Sequence, residues 1–432
     1  MRKLITRDFI VLPCDLVCEL SGEKLLQAWM IETASLSDIL KDPSWPKGPR
    51  HSGGIGVWYE TKTTMAVKGE ETEFIITSRL PKAAVPPPRD TILPHVSRLR
   101  VSMPRDTLKD MTEEMDGALV RYGLLTKHER VRILTSHRDA HVYIFPKWVV
   151  KFVEENEHLE SIGEDVIGSW AKATWKHDLA RKLAVDKVFE TDDAACKDKG
   201  ESSLEDSPRL QEDEDDDEAL MRPQSSGAAA RSPAGGKSQV RNGNGSSTTA
   251  AGTGAKTPGM PPFLAYVHPS QPANGPVIRR VDTAPLLLAV SLQLAKLPSV
   301  EEAAAEGLVP SPFAHARKVA YPEGVKPRTT ITRADSLVAE NVTVDEKTSI
   351  RESVVGAGCQ LSVGTKLHQC LLMDGVVVGR NCKLTRCILG RRCVIGEGSV
   401  LTDCEVQENL LVEPKSKFAA VTSTDPQSFV HV

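Results

Sequence analysis

Thirteen positions between Val338 and Val406 advance along the chain by 6, 6 and 5 residues in rotation, and every one is Val, Ile or Leu. They are Val338, Val344, Ile350, Val355, Leu361, Leu367, Leu372, Val378, Leu384, Leu389, Ile395, Leu401 and Val406, so the full cycle of three steps is completed four times. An amphipathic helix or a half-buried strand repeats its apolar side chains at about 3.6 or 2 residues, which these steps do not match. A period near six predicts a parallel β-helix of hexapeptide repeats, in which three short strands make one triangular coil and the aliphatic side chains fill the prism. Two residues before each position, from Val344 onward, stands a small side chain: Val342, Thr348, Ser353, Cys359, Thr365, Cys370, Val376, Cys382, Cys387, Cys393, Ser399 or Cys404. These form a second inward column where the interior is tight. Gly356, Gly379, Gly390 and Gly396 each follow an aliphatic position directly. Coils stacked about 4.8 Å apart would make four cycles a stubby rod of about 20 Å.

The same spacing bears on the cysteines. The chain has nine, and six of them (Cys359, Cys370, Cys382, Cys387, Cys393 and Cys404) crowd a stretch that invites a reading as a metal or disulfide cluster. Zinc ligands come in pairs at short fixed separations around a loop. These six follow the coil period instead, so they are expected to be small buried apolar groups. Cys14, Cys18 and Cys196 complete an odd count without secreted-domain spacing, which predicts a reducing compartment.

With 432 residues, 40% of them hydrophobic, the chain is long enough for two or three domains with real cores. A net charge of −4 supplies no global basic field, so direct nucleic-acid binding is not expected. The apolar run Phe9 to Leu12 is short for a signal peptide and is flanked by Asp8 and Asp15. The longest apolar stretch, Ala284 to Ala295, contains Ser291 and Gln293 and is too short to span a bilayer. No membrane association is expected, and the cytoplasm is the expected location.

Residues 1–185 carry α/β signals. Phe9-Ile10-Val11-Leu12 reads as a buried strand, an acidic turn follows at Asp15, and Ser21 to Trp29 reads as a helix. His141-Val142-Tyr143-Ile144-Phe145 is an alternating strand entering a helix, and Ser161-Ile162-Gly163-Glu164 is patterned as a capping box. Residues 186–258 change character abruptly, with Glu212 to Glu218 wholly acidic and Gly, Ser, Ala and Thr dominating afterwards; such a segment is expected to be a disordered spacer inserted into a globular unit. A connecting strand and helix segment is expected over 259–330, with Phe263-Leu264-Ala265-Tyr266-Val267 as the strand and a helix opening at Asp282-Thr283-Ala284-Pro285. The β-helix is expected over 331–418 and a tail over 419–432. Trp29, Trp45, Trp58, Trp148, Trp170 and Trp175 all precede the insertion and are expected to be packing residues.

An α/β domain with an Asp after its first strand, joined to a hexapeptide β-helix, resembles the sugar-nucleotide pyrophosphorylases. Four stretches narrow the resemblance: Phe9-Ile-Val-Leu-Pro-Cys-Asp15, His141-Val-Tyr-Ile-Phe-Pro-Lys-Trp148, Ile278-Arg-Arg-Val-Asp-Thr-Ala-Pro-Leu-Leu287, and the Cys-rich coils. Together they are similar to the gamma-type subunits of eukaryotic translation initiation factor 2B, the guanine-nucleotide exchange factor for initiation factor 2. The likeness spans the chain apart from 186–258. It implies a nucleotidyltransferase-like (Rossmann-like) domain followed by a left-handed β-helix, and a non-catalytic regulatory subunit in a cytoplasmic hetero-oligomer. It further implies pairing with the epsilon subunit that carries the catalytic helical domain, contact with other exchange-factor subunits and with initiation factor 2, and no cofactor.

The sequence departs from that family at its start. The family's nucleotidyltransferase-like domain opens with a strand and a Gly-rich loop whose backbone amides cradle phosphates, and Asp15 here lies close to Met1, so the domain is expected to lack its first half and phosphate binding is not expected. Asp15 falls where the resemblance places a magnesium-binding carboxylate, and is expected to be a relic of that position. Asp139-Ala140-His141 falls where an Asn-x-Gly stretch would let a sugar approach the backbone, and the His141 imidazole would occupy that space. No catalytic, cofactor-binding or metal-ligating residue is expected. The alternatives are a sugar-nucleotide pyrophosphorylase and a hexapeptide acyltransferase. An acyltransferase needs a catalytic His and a loop excursion from a coil, whereas His368 is the one His in the coils and the cycle of steps is uninterrupted.

Overall fold

The computed structural model describes residues 4–33, 51–63, 66–80, 91–115, 122–128, 130–189, 260–269, 276–419 and 430–431. Most of the predicted 186–258 spacer, Trp45 and Cys196 therefore lie outside the described residues. A helical segment at 185–189 runs into the expected spacer, with Val185 and Val188 buried. The described residues, apart from Phe189, belong to one unit, Met1–Val188 with Gly259–Val432.

The α/β region contains strands β1 (Phe9–Val11), β2 (Leu16–Cys18), β3 (Gly54–Glu60), β4 (Glu73–Ser78), β5 (Val96–Pro104), β6 (Val131–Phe145), β7 (Phe263–Val267) and β8 (Ile278–Arg280). Six of them form a mixed sheet in the order β1-β6-β3-β7-β5-β4, in which β3 and β7 run parallel and the other pairs antiparallel. The long strand β6 also reaches β4 through its first half, so β6, β3, β7, β5 and β4 close into a ring. A long strand with three partners leaves little free edge. β7, which follows residue 259, sits between β3 and β5 and completes the middle of this sheet. The helix Gly22–Thr33 packs Leu25, Ala28 and Trp29 on one face, against Ile55, Val57, Ile144 and Leu264. The other face carries an aromatic stack in which Trp170 lies edge-on to Trp148 (centroids 4.6 Å apart) and to Phe263 (4.9 Å). The described tryptophans pack as expected, and Trp29, Trp148, Trp170 and Trp175 each give the indole N–H to a backbone carbonyl.

Two local readings change. Phe9–Val11 is an edge strand with β6 as its one neighbour, leaving Ile10 and Leu12 53% and 67% exposed, because no described strand covers its outer side. At Ser161 the reciprocal cap forms with Asp165 rather than Glu164. The Asp165 amide donates to Ser161 Oγ (3.1 Å) and the Ser161 amide to Asp165 Oδ2 (2.9 Å), because Ile162–Ile167 is a π-helical turn that delays the cap by one residue.

From residue 319 the chain winds into a parallel β-helix. Its strands stack into three sheets of six, five and six strands, each ladder stepping by one full cycle of 6, 6 and 5, as in Val354↔Leu371↔Ile388 and Leu367↔Leu384↔Leu401. All thirteen predicted aliphatic positions are at most 2% exposed, and the small column is equally buried. The first coil begins before the expected boundary at 331. Val319 and Val325 bridge to Val338 and Val344, and Ile331 pairs with Ile350. Val319, Val325 and Ile331 keep the steps of 6 and 6, but the step from Ile331 to Val338 is seven rather than five, which breaks the cycle. A further strand, Val430–His431, adds to Cys404–Val406.

The corners explain the other sequence features. Asn341, Gly358, Gly375, Arg392 and Asn409 recur once per coil and all have positive φ, as do Lys347, Gly364, Asn381, Gly398 and Lys415 at a second corner. Left-handed backbone favours Gly and Asn, so the charged residues here are held by the pairing around them. The glycines after the aliphatic positions serve another purpose. A Cβ on Gly396 would lie 2.4 Å from Pro414 N, and one on Gly390 2.6 Å from Glu408 N, so they admit the backbone of the next coil. One prism face is covered by the helix Ala284–Lys296, which buries Leu288 against Leu371 and Ile388. No helix among the described residues is long and apolar enough to cross a membrane.

Candidate functional site

Strands β2 and β8 pair antiparallel, which brings the turn residue Asp15 beside Arg280. Asp15 Oδ2 accepts from Arg280 Nε (3.1 Å) and Nη2 (3.0 Å), and Arg280 Nη1 lies 3.3 Å from His141 Nε2. The carboxylate that the resemblance marks as a metal-binding relic is thus engaged by a guanidinium. Arg280 also approaches Asp282 at 3.6 Å, and Asp282 is gripped by Arg138 at 2.5 Å. Burial works against ionisation of Asp282, but the Arg138 hydrogen bond and the charges of Arg138 and Arg280 hold it below the usual carboxylate range. Behind it lies a fully buried pair, Arg279 to Glu70 (3.1 Å), with Arg279 also donating to the Thr61 carbonyl (3.2 Å) and Thr63 Oγ1.

His141 sits on an irregularity of β6. Between the pairs Gly56↔Tyr143 and Trp58↔Asp139, β3 advances two residues and β6 four, and His141 has φ +54°. A bulge of this kind re-aims a side chain. Backbone of this conformation is what a glycine supplies, yet an imidazole stands here and points to Arg280. Burial, and then the Arg280 charge, push His141 below its usual range, so at neutral pH the neutral ring accepts from the guanidinium. The other predicted residue, Asp139, is inaccessible. Its Oδ1 accepts from the His141 amide (2.8 Å) and its Oδ2 from Tyr143 OH (2.5 Å). Burial and the nearby Glu73 raise it well above the carboxylate range. Glu73, likewise raised by burial, accepts from Trp58 Nε1 (2.9 Å) and Ser102 Oγ (3.1 Å). Asp15, His141 and Asp139 therefore come together, but around arginines and tyrosine; among the described residues no group of three or more His, Cys, Asp or Glu is placed to hold a metal ion. The residues that the sequence left without a role are Arg279 and Arg280, two consecutive cations between Ile278 and Val281.

Asp15→Asn is expected to lower stability by about 1–2 kcal/mol, a charge-assisted hydrogen bond discounted for partial exposure. Adding Arg280→Gln should cost less than the sum of the two single losses, because Asp15 and Arg280 share hydrogen bonds, the remainder reflecting Arg280's contacts with Asp282 and His141. Denaturant melts of both singles and the double check this, and strictly additive losses would show that the pair does not act as one.

The β-helix offers broad surfaces and an open pocket of about 410 Å³ lined by Met373, Ile388, Arg391, Glu405 and Glu408. Thiols of the small column donate to backbone carbonyls, as Cys359 to Met373 (3.1 Å) and Cys382 to Gly396 (3.2 Å). Burial pushes Cys359 up to about 11 and Cys393 up to about 12, so these stay protonated and inert. The three outer faces differ in chemistry. One is apolar over Val354, Leu371 and Ile388, where the helix Ala284–Lys296 packs on it, and carries Glu405 in the next coil. The second, on Thr343–Val344 and its stack, presents Gln360, Val377, Val394 and Leu411 with Asp345 and Glu413. The third, on Ser349–Arg351, Lys366–His368, Lys383–Thr385, Val400–Thr402 and Lys417–Ala419, presents Arg351, Lys366, His368, Lys383 and Lys417. His368 is exposed, flanked in its ladder by Arg351 and Thr385, with no loop leaving the coils beside it.

Regularly stacked coils, aliphatic and small inward columns and left-handed corners define the C-terminal region as a hexapeptide-repeat β-helix behind an α/β sheet region. Residues 321–418 match the family described as the eIF2B subunit epsilon left-handed β-helix domain. The coils are thus similar to that domain over about a hundred residues. The chain is similar to translation initiation factor eIF2B subunit gamma of Schizosaccharomyces pombe, with 38% identity over 56 residues, which are 13% of this chain and 12% of that protein. The match to that relative therefore spans about an eighth of its length. Among solved structures, a hexapeptide transferase family protein from Anaplasma phagocytophilum is similar at 20% identity, covering 22% of this chain and 72% of that one, with a TM-score of 0.14.

Proposed function

We propose that this chain is a non-catalytic, gamma-type subunit of the guanine-nucleotide exchange factor for translation initiation factor 2, working in the cytoplasm. The observation that carries the reading is the eIF2B-type β-helix over 321–418, together with the similarity to a gamma subunit. The α/β region supports it. Where a nucleotidyltransferase-like site would want an ionised carboxylate free for a cation, Asp15 is bound by Arg280. Where a sugar would approach the backbone, the His141 ring and the Arg280 guanidinium fill the space. On this reading the domain is a scaffold whose old site is closed by its own side chains, and its partners are an epsilon-type catalytic subunit, other exchange-factor subunits and initiation factor 2.

The test is co-expression. With an epsilon-type subunit the chain should form a one-to-one complex by native mass spectrometry. The isolated chain should release no GDP from initiation factor 2 and turn over no labelled sugar nucleotide. A stable homotrimer indifferent to the epsilon-type chain, or turnover that survives further purification, would sink the proposal.

A further inference from the structure

The third face of the prism is charged in a way that folding does not call for. Its outward positions hold four permanent cations, Arg351, Lys366, Lys383 and Lys417, together with His368, and no carboxylate. All five are exposed, and none of the four cations makes a salt bridge among the described residues. Lys366 and Lys383 stand directly opposite one another in the parallel ladder. Like charges in that position destabilise a sheet, so the fold gains nothing from them. The carboxylates at the neighbouring corners form no salt bridge with them among the described residues. Glu352 takes a hydrogen bond from Gln369 (2.9 Å), Glu397 pairs with Arg380 (3.8 Å) and Asp403 pairs with Arg386; Glu346 and Glu413 remain at the rim. The chain as a whole has a net charge of −4, so this face is a local reversal of its field.

We propose that this face is a docking surface for a carboxylate-rich segment of a partner protein. The coils fix the spacing: side chains repeat at about 4.8 Å along the rod and about 6.6 Å across each strand, a rigid grid of cations that needs no ordering before it binds. Two features of the face select acidic protein over single-stranded nucleic acid. No Phe, Tyr or Trp is presented outward here for a base to stack on, the His368 imidazole being the one ring on the face, and the negative overall charge does not steer a polyanion over long range. A compact acidic segment needs neither. The inference stands on this face alone and holds whichever assembly the chain serves.

The test uses the full chain and a fluorescein-labelled glutamate-rich peptide, with poly-uridine RNA of equal charge as the competing probe, read by anisotropy. The parent should bind the peptide, more weakly as salt rises, and more tightly than the RNA. Lys366→Glu with Lys383→Glu should weaken peptide binding about tenfold or more, whereas Gln360→Glu on the adjacent face should leave it unchanged. Lys366→Gln with Lys383→Gln removes charge without adding any, and keeps the test readable if reversed charges disturb the fold. Parental affinity in both lysine pairs, absence of peptide binding at low salt, or tighter binding of the RNA would each overturn the proposal.

Discussion

Leu384→Asp is expected to unfold the β-helix, while Lys383→Asp, one residue away, leaves it folded. Leu384 is 1% exposed and stacks between Leu367 and Leu401 in the ladder, with no polar side chain in that column to receive a carboxylate. Burying an unpaired charge there, and losing the leucine's own burial, should cost about 4 kcal/mol or more. Because each coil is held by its neighbours, the damage spreads along the rod. Lys383 points outward from a strand and its replacement should stay within about 1 kcal/mol of the parent. Thermal melts combined with limited proteolysis of the C-terminal region separate the outcomes, and equal damage from both changes would refute the inward register.

The second large effect is expected at Arg279. Its side chain is 1% exposed, Glu70 is 2% exposed, and the two are joined by bonds of 3.1 and 3.3 Å while the guanidinium also lies 5.2 Å from the Tyr59 ring centroid. Arg279→Ala leaves Glu70 with Arg138 at 3.8 Å as its remaining cation and should cost about 3–5 kcal/mol, the usual result of stranding one half of a buried pair. Replacing both Arg279 and Glu70 by Met should restore much of the loss, because it removes the stranded charge. The sign of the pH dependence follows. Burial, against the pull of the arginines, already raises Glu70, and loss of Arg279 raises it further. The folded variant then holds a proton that the unfolded chain releases, so relative to the parent it is most stable at low pH and loses stability as pH rises through and above the ordinary glutamate range. Urea melts across that range check this, and a parental pH profile in Arg279→Ala would contradict the pairing.

The prism was legible because its rule is local and periodic. A residue every six, six and five positions can go to one interior whatever the rest of the chain does, and the burial of Val338 through Val406 follows from that arithmetic. The same arithmetic placed Cys359, Cys370, Cys382, Cys387, Cys393 and Cys404 inside and Lys383 outside. It missed the first coil at Val319 because a single step of seven removes the period on which the reading depends. The α/β region obeyed no such rule. That Phe9–Val11 would be an edge, that β6 would pair both β3 and β4, and that Phe263–Val267 would enter the middle of the sheet are long-range pairings, and nothing local to those segments encodes them.

The candidate site divides along the same line. Asp15, Asp139 and His141 were picked out by residue type and by resemblance, and they do gather in space. What they gather around was decided by tertiary structure alone. Arg280 reaches Asp15 across 265 positions of chain and Arg279 reaches Glu70 across 209, because β2–β8 pairing and sheet closure bring them there. Sequence determined which side chains fill the prism, since a short repeat fixes inside and outside residue by residue. Only the fold determined the charge state and partners of the acidic groups in the α/β region, since burial and the distance to an arginine are properties of the whole chain.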